Sequence, residues 1–374
     1  MRNFFLSACV VLFLSGITTG AGKEVGVIGN IDSGSKEITV NVKSGTSLIM
    51  GDLLEIQAEG GRIILDVTFP MQTVAKCKIK GKGNPSDLKK GMAVYRYDKN
   101  ASDSGQVSAG QTKVFGNIEF AFIRGGTYTM GSPESEKLRH PAEKQHQVKV
   151  SSFWMGKYEV TQKEYMDVTG NNPSEKKGDD LPVSNVSWYD AVEFCNILSI
   201  KQGLAPYYNI DKKKKDPNNK NGSDDFQYTV TILGGNGFRL PTEAEWEYAC
   251  RAGTTTVFHY GDKLDSTMAN FEGSEPYNAE TGVFRKSLIK VGSFKPNAFG
   301  LYDMHGNIWE WCWDWYGTYS GITDNPTGAD KGKGRIRRGG SWHNKARHLR
   351  SAFREDGNPG KNIFDFGFRV AKGN

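Results

Sequence analysis

The sequence predicts an α+β protein in which a small all-β domain precedes a larger domain with little regular secondary structure. Short runs of alternating apolar and polar residues fill most of the first hundred positions. Three capping-box sequences mark helices farther along the chain. The 45 glycines and 8 tryptophans indicate many turns around an aromatic core. A chain of 374 residues is also long enough for two domains.

Residues 1–21 have the pattern of a secretory signal peptide. Arg2 precedes an apolar run over residues 4–17, and small residues follow as far as Ala21. The run is too short to span a bilayer, and no later segment is apolar enough to do so. Cys9 lies inside the run, which favours a signal core over a lipoprotein cleavage box. We therefore expect export to the periplasm, cell surface or medium, with no transmembrane segment after cleavage.

Residues 22–98 are predicted to form a small β barrel or sandwich. Runs such as 37–42 and 62–67 alternate apolar with polar residues, and Gly and Asp clusters separate them. Residues 99–113 are rich in Ser, Gly, Asp and Gln, which is typical of a flexible linker. The second domain then covers residues 114–374.

Local start and stop signals predict three helices in the second domain. Each start is a hydroxyl residue followed three positions later by an acid: Thr161 with Glu164, Ser187 with Asp190, and Thr242 with Glu245. Gly170 and Gly253 are the expected C-caps of the first and third helices. Alternating tryptophans over residues 309–315 predict a strand with one aromatic face. Core packing is the favoured role of that face, and a stacking surface for sugars or peptides is the alternative.

Charge and cysteine usage exclude several classes of function. The net charge of +6 is spread over 48 basic and 42 acidic residues. The basic run 212–215 has no interleaved aromatic residues, so we predict a solvated loop and no nucleic-acid partner. The absence of a CxxC pair argues against a zinc ribbon or a redox dithiol. Buried free thiols are favoured over one disulfide for the cysteines that remain after export, which are Cys77, Cys195, Cys250 and Cys312.

Several segments of the second domain resemble the sulfatase-modifying factor family, which includes the formylglycine-generating enzyme. The matching segments are residues 122–131, 158–161, 182–191, 239–249, 300–311, 338–342 and 367–369. They occur in the family's order and span about residues 119–372. The resemblance implies a compact fold related to C-type lectins, with low regular secondary structure. It does not by itself assign an activity, because one fold carries several functions.

The resemblance also shows what this chain lacks. The family's enzyme uses two cysteines, five positions apart, to bind copper(I) and to oxidise a sulfatase cysteine to formylglycine. The matching positions here are Asn344 and Leu349, which supply no thiolate for a cuprous ion. We therefore do not expect formylglycine generation. The resemblance implies a remaining pocket lined by Arg338, Ser341, Trp342, His343, Asn344 and His348.

Two histidines leave a second interpretation open. His343 and His348 precede the two cysteine positions and keep their spacing. A shift of the loop by one residue would place two imidazoles in the pocket, where they could bind copper, iron or zinc. Exposed loop histidines are the simpler interpretation. The alternative function is therefore an oxidoreductase or a protein-maturation enzyme with an altered, non-cysteine active site.

The resemblance implies one calcium site and part of another. In the first, the ligands would be the Asp303 and Glu310 carboxylates with the carbonyls of Gly306 and Ile308. Hard oxygen donors on a tight turn suit calcium. A structural alternative is that Asp303 caps a turn while Glu310 pairs with an arginine. The second site would begin at Asn270 and the Phe271 carbonyl, and its acidic partner has no match in this chain.

These expectations favour a calcium-stabilised, non-catalytic binding or structural module. The expected ligand is a protein or a peptide, and a glycan is the alternative.

Overall fold

The structure is a computed structural model, and it describes residues 24–32, 37–44, 53–58, 61–70, 73–80, 88–90, 92–96, 111–319, 321 and 324–373. The chain divides into two compact units, Met1–Gln106 and Val107–Asn374. The predicted signal peptide at 1–21 and residues 99–110 of the predicted linker lie outside the described residues.

The first unit contains a closed antiparallel barrel with the strand order β1-β2-β5-β4-β3-β6. Its strands are β1 (Glu24–Asp32), β2 (Glu37–Val42), β3 (Leu53–Ala58), β4 (Gly61–Pro70), β5 (Val74–Lys80) and β6 (Ala93–Arg96). Every second residue along these strands is fully buried, as in Ile38, Val40, Leu65, Val67 and Cys77. This two-residue period is expected of a strand that buries one of its faces. Pairing of β1 with β6 closes the barrel, so the sheet has no open edge.

The second unit confirms the predicted α+β class with few helices. Its helices are α1 (Gln162–Thr169), α2 (Trp188–Lys201) and α3 (Glu243–Arg251), with a 3-10 helix at Ala346–Leu349. Its strands are β7 (Thr112–Phe115), β8 (Ile118–Ile123), β9 (Gly126–Met130), β10 (His146–Val150), β11 (Phe153–Gly156), β12 (Tyr208–Lys215), β13 (Tyr228–Ile232), β14 (Phe238–Arg239), β15 (Trp309–Trp315), β16 (Arg335–Arg338), β17 (Glu355–Gly357), β18 (Phe366–Gly367) and β19 (Ala371–Gly373). The longer sheets have the orders β14-β19-β11-β8-β7 and β17-β16-β15-β18.

All three predicted helix starts are confirmed, because both hydrogen bonds of each capping box are present. Gly170 closes α1 in the left-handed conformation, as predicted. At the end of α3 the cap is Ala252, with φ 45°, and Gly253 follows it with φ 91°. The expected C-cap was therefore wrong by one residue, since two successive residues are left-handed at this turn.

Strand β15 is confirmed, and both of its faces are buried. Glu310, Cys312 and Asp314 on the alternate face are as buried as most of the tryptophans. β15 is an inner strand, hydrogen-bonded to β16 on one side and to β18 on the other. Its two faces are buried because Trp309 and Trp311 pack in one core cluster and Cys312 packs in another. Of the four rings only Trp313 is half-buried, so the tryptophans mainly fill the core.

The structure also bears on the predicted linker, the basic run, the cysteines and the membrane-spanning potential of the chain. Thr112 and Lys113, which the sequence analysis placed in the linker, belong to β7. The basic run 212–215 is not a loop but the end of β12, with Lys213, Lys214 and Lys215 exposed. The four cysteines named above are free and buried, as favoured. No helix in the described part of the chain has the length and apolar character needed to cross a membrane.

Candidate functional site

The segment after β16 carries Asn344 and Leu349, the two positions that the resemblance matches to the cysteines of the family's enzyme. Gly339 and Gly340 both have positive φ, and the turn that they form leads into Ser341. The Asn344 side-chain oxygen accepts hydrogen bonds from the Ser341 backbone N–H at 2.9 Å and from its hydroxyl at 2.8 Å. Asn344 therefore caps a turn and does not present a ligand to the solvent.

Leu349, at the second position, belongs to the hydrophobic core. It is fully buried in a cluster with Phe258 and Phe271. The packing is tight, because a Cβ added at Gly340 would lie 2.6 Å from Leu349 Cδ1. The Leu349 carbonyl also accepts a hydrogen bond from His305 Nδ1 at 2.6 Å. No part of this side chain can contribute to redox chemistry.

Arg338 was predicted to line the pocket, and the structure corrects this. Its side chain is fully buried. It forms an ion pair with Glu247 and donates to the Phe353 carbonyl. A buried guanidinium needs such partners because burying an unpaired charge is costly. Arg338 is therefore part of the interior and cannot contact a ligand.

The two histidines face different surroundings. The His343 side chain is exposed, with its ring 5.8 Å from that of Phe364. His348 packs against Phe353 and accepts a hydrogen bond from Arg347 Nε at 3.1 Å. Burial lowers the pKa of His348 to about 4. Among the described residues, no group of three or more His, Cys, Asp and Glu side chains is arranged to hold a metal ion.

The Cys250 thiol does not supply the chemistry of a reactive cysteine pair. Cys250 Sγ lies 3.8 Å from His305 Nε2. Burial raises the pKa of Cys250 to about 12 and lowers that of His305. Both groups are therefore neutral at physiological pH, and the thiolate needed for nucleophilic or metal chemistry is absent.

An open groove of about 320 Å³ lies beside this segment. We call it the Trp342 groove; its lining residues are Glu175, Lys176, Ser184, Ser287, Leu288, Trp342 and Phe364. The ring centroids of Trp342 and Phe364 are 5.6 Å apart, and those of Trp342 and Phe284 are 6.3 Å apart. Phe364 remains 40% exposed. Exposed aromatic rings at a concave surface are typical of a binding site.

The predicted calcium ligands fit a cation only in part. Both oxygens of Glu310 are already used: Arg369 donates to each at 2.6 Å, and the Trp246 indole N–H donates to one at 2.7 Å. The Gly306 carbonyl accepts a hydrogen bond from the Ile308 N–H. The structural alternative for Glu310, pairing with an arginine, is therefore what the structure shows.

Three other buried oxygens near this turn have no hydrogen-bond partner. They belong to Asp303, Glu159 and Asn270, all at most 5% exposed. Asp303 accepts from the Gly292 N–H with its other oxygen, at 2.5 Å, and also contacts the Glu159 carboxyl. Asn307 donates to Glu159 at 3.0 Å and accepts from Asn270 at 3.1 Å. The residues of the two expected sites thus belong to one polar network.

Burial controls the protonation of this network. It raises the pKa of Asp303 to about 6, although the hydrogen bonds from Gly292 and with Glu159 oppose this shift. It raises the pKa of Glu159 well above its ordinary value, and the nearby charge of Asp303 adds to that rise. Oxygen donors of this kind are the ligands that a hard cation prefers. The Phe271 ring is buried in a hydrophobic cluster.

Sequence reasoning missed Glu159, Lys176 and Phe364. Glu159 could have been found, because it is an acid directly before the buried Val160 and the helix cap Thr161. Lys176 and Phe364 carried no local signal. They meet at the groove only because distant parts of the chain fold together.

Comparisons with known proteins agree with this geometry. The profile of the sulfatase-modifying factor enzyme 1-like domain matches residues 106–374. A protein of Paenibacillus barcinonensis named chaperone protein LppX is 41% identical over 247 residues, which cover 63% of this chain and 81% of that protein. The formylglycine-generating enzyme of Bos taurus is 27% identical, over 80% of this chain and 86% of that enzyme. The solved Treponema denticola variable protein 1 superposes with a TM-score of 0.58 at 31% identity, over 71% of this chain and 99% of that structure.

Proposed function

Because this chain belongs to the sulfatase-modifying factor family, we propose that it is a non-catalytic member that binds a segment of a partner protein in the Trp342 groove. The observation that carries the proposal is the structural use of Asn344 and Leu349. Asn344 caps a turn and Leu349 fills the core, so both residues have structural roles and neither supplies the thiolate that the enzyme uses. The groove beside them stays open.

The lining of the groove supports a polypeptide ligand. Trp342, Phe364 and Leu288 offer apolar surface, while serine and charged side chains line the remainder. This combination of apolar contact and a few polar groups is typical of sites that bind an extended chain. The similarity to a protein named as a chaperone is consistent with a protein partner. A glycan remains the alternative ligand, because aromatic rings also stack against sugars.

Panning a random heptapeptide phage library on the full chain tests this proposal. We expect enriched peptides whose binding is lost in Trp342→Ala and in Phe364→Ala. Phe226→Ala is the matched control, since Phe226 is equally exposed at 45% but lies outside the groove lining. Enriched peptides that bind the two groove variants as well as the parent would overturn the assignment of the groove.

A direct assay tests the absence of catalysis. The full chain, supplied with copper(I) and oxygen, is incubated with a cysteine-containing sulfatase peptide, and mass spectrometry follows conversion of the thiol to an aldehyde. We expect no conversion. Any turnover that the chain supports would contradict a non-catalytic role.

The proposal includes calcium and export. We propose that a calcium ion is held by the oxygens of Asp303, Glu159 and Asn270 that lack partners, which would stabilise the turn beneath the groove loop. Export is proposed from the signal-peptide pattern of residues 1–21. The alternative, an oxidoreductase or maturation enzyme using His343 and His348, has less support because these rings pack against different neighbours.

A further inference from the structure

We propose that the Trp342 groove selects polypeptide segments in which a carboxylate adjoins an apolar side chain, and that Lys176 is the residue that binds the carboxylate. This inference rests on the proposed function, because it names the chemistry of the segment that the groove takes.

The Lys176 ammonium is held in a defined position at the groove. It donates to Ser287 Oγ at 2.7 Å and to the Leu288 carbonyl at 2.9 Å. An ammonium has three donors, so one remains for a ligand. Both acceptors are neutral, and no ion pair joins Lys176 to another residue of the described chain. Because two bonds already fix the side chain, binding a carboxylate there loses little further conformational entropy.

The apolar part of the segment has a place beside this charge. Trp342 and Phe364 line the same groove as Lys176, and Leu288 both lines it and supplies one of the acceptors. A peptide side chain that stacks on the two rings therefore puts its neighbour in the chain within reach of the ammonium. Aromatic contacts of this kind add to the energy of apolar burial.

Glu175 places a negative charge in the same groove as the positive charge of Lys176. Its exposed side chain lines the same groove and precedes Lys176 in the chain. A carboxylate ligand is attracted by Lys176 and repelled by Glu175. Removing the charge of Lys176 should therefore lower the affinity, and removing the charge of Glu175 should raise it. Like-charge repulsion also restricts where the ligand carboxylate can sit, which adds selectivity for position.

Fluorescence polarisation with two rhodamine-labelled pools of capped hexapeptides tests the inference. Both pools have random flanks without acidic residues; one has Phe-Asp at its centre and the other the isosteric Phe-Asn. We expect the full chain to bind the Phe-Asp pool about five- to tenfold more tightly at low salt, with the ratio falling as salt is added.

Three substitutions separate the charges. Lys176→Gln should abolish the preference for the acidic pool, and Glu175→Gln should increase it. Lys177→Gln is the matched control and should leave it unchanged, because the Lys177 ammonium bonds the Asn172 carbonyl and does not line the groove.

The outcomes distinguish the two proposals. Equal affinity for both pools, with binding lost in Trp342→Ala, overturns the role of Lys176 and leaves the groove as a peptide site. A preference that persists in Lys176→Gln also overturns it. Binding of neither pool up to about 1 mM, a free energy of only about −4 kcal/mol, overturns the peptide-binding function itself.

Discussion

Asn344 accepts two hydrogen bonds from Ser341, one from the backbone N–H and one from the hydroxyl. Ser341 is fully buried, and its hydroxyl oxygen also lies 2.8 Å from an Asp365 carboxylate oxygen. Asn344, which the resemblance matches to a copper-binding cysteine of the family's enzyme, thus fixes the conformation of the loop that carries Trp342. These two bonds also restrain the loop that contributes Trp342 to the groove.

Restoring the cysteines should therefore damage the fold rather than recover an enzyme. In Asn344→Cys/Leu349→Cys, the first change removes the acceptor of both bonds and the second leaves a void in a packed core. We expect a loss of about 3 kcal/mol in the free energy of unfolding, roughly 2 from the void and 1 from the bonds. Urea denaturation measures it. Lys345→Ala, at an exposed ion pair, is the control and should cost less than about 0.5 kcal/mol. A double variant as stable as the parent would contradict this account.

Arg335 shows a second kind of buried contact that a conservative change should break. Its guanidinium lies 3.9 Å from the Trp188 ring centroid and 3.7 Å from that of Trp315, and it donates to the Trp313 carbonyl at 2.6 Å. Lysine keeps the charge but cannot stack on both rings, and its ammonium is more strongly hydrated. We expect Arg335→Lys to lose about 2 kcal/mol or more in thermal or urea unfolding.

An exposed arginine provides the comparison. Arg124→Lys should change stability by less than about 0.5 kcal/mol, because the Arg124 side chain lies at the surface. Equal effects of the two substitutions would show that the double stacking contributes nothing beyond the charge.

Local signals explain what the sequence could predict. Thr161, Ser187 and Thr242 start helices through contacts within four residues, and such contacts can be recognised in the chain itself. The barrel follows from alternation along each strand, which requires only that one face be buried. These features depend on neighbours in sequence and on burial in general.

The remaining features depend on particular partners far away in the chain. Arg338 belongs to the interior because Glu247 lies next to it across 91 positions. Both carboxylate oxygens of Glu310 accept hydrogen bonds from Arg369, which lies 59 positions away in the chain. The resemblance pointed to Arg338 and Glu310 but did not identify Glu247 and Arg369 as their partners, because pairing is decided by the other side chains that fill the same space.

The pH dependence of stability should reveal the buried Asp314. Burial, together with the nearby charge of Glu243, raises the pKa of Asp314 from 3.8 to about 8. Between these values the folded state holds a proton that the unfolded state has released. Stability must then fall as the pH rises, by up to about 1.4 kcal/mol per pH unit from this group. Asp314→Asn cannot ionise and keeps an oxygen to accept the Glu243 N–H.

Urea unfolding of both proteins at several pH values between 5 and 7.5 isolates this group, because all other titrating residues are shared. The variant should become progressively more stable relative to the parent as the pH rises. Parallel stability profiles would mean that Asp314 is ionised in the folded state throughout this range.

Calcium should stabilise the chain through Asp303 and Glu159 and not through Glu310. At a free calcium concentration about 100 times the dissociation constant, binding to the native state adds about 2.7 kcal/mol, and a chelator removes it. Asp303→Asn and Glu159→Gln should each abolish this calcium-dependent shift, because each removes a negative ligand. Glu310→Gln should instead cost about 3–5 kcal/mol with or without calcium, because it leaves the buried Arg369 without its partner. Thermal unfolding with calcium and with chelator, alongside bound-metal analysis by mass spectrometry, separates the two effects.

One outcome would contradict the ligand set proposed from the unpartnered oxygens. It is a calcium-dependent shift in stability that survives in Asp303→Asn but disappears in a Glu310 variant that still folds. That result would place the ion at the family's position.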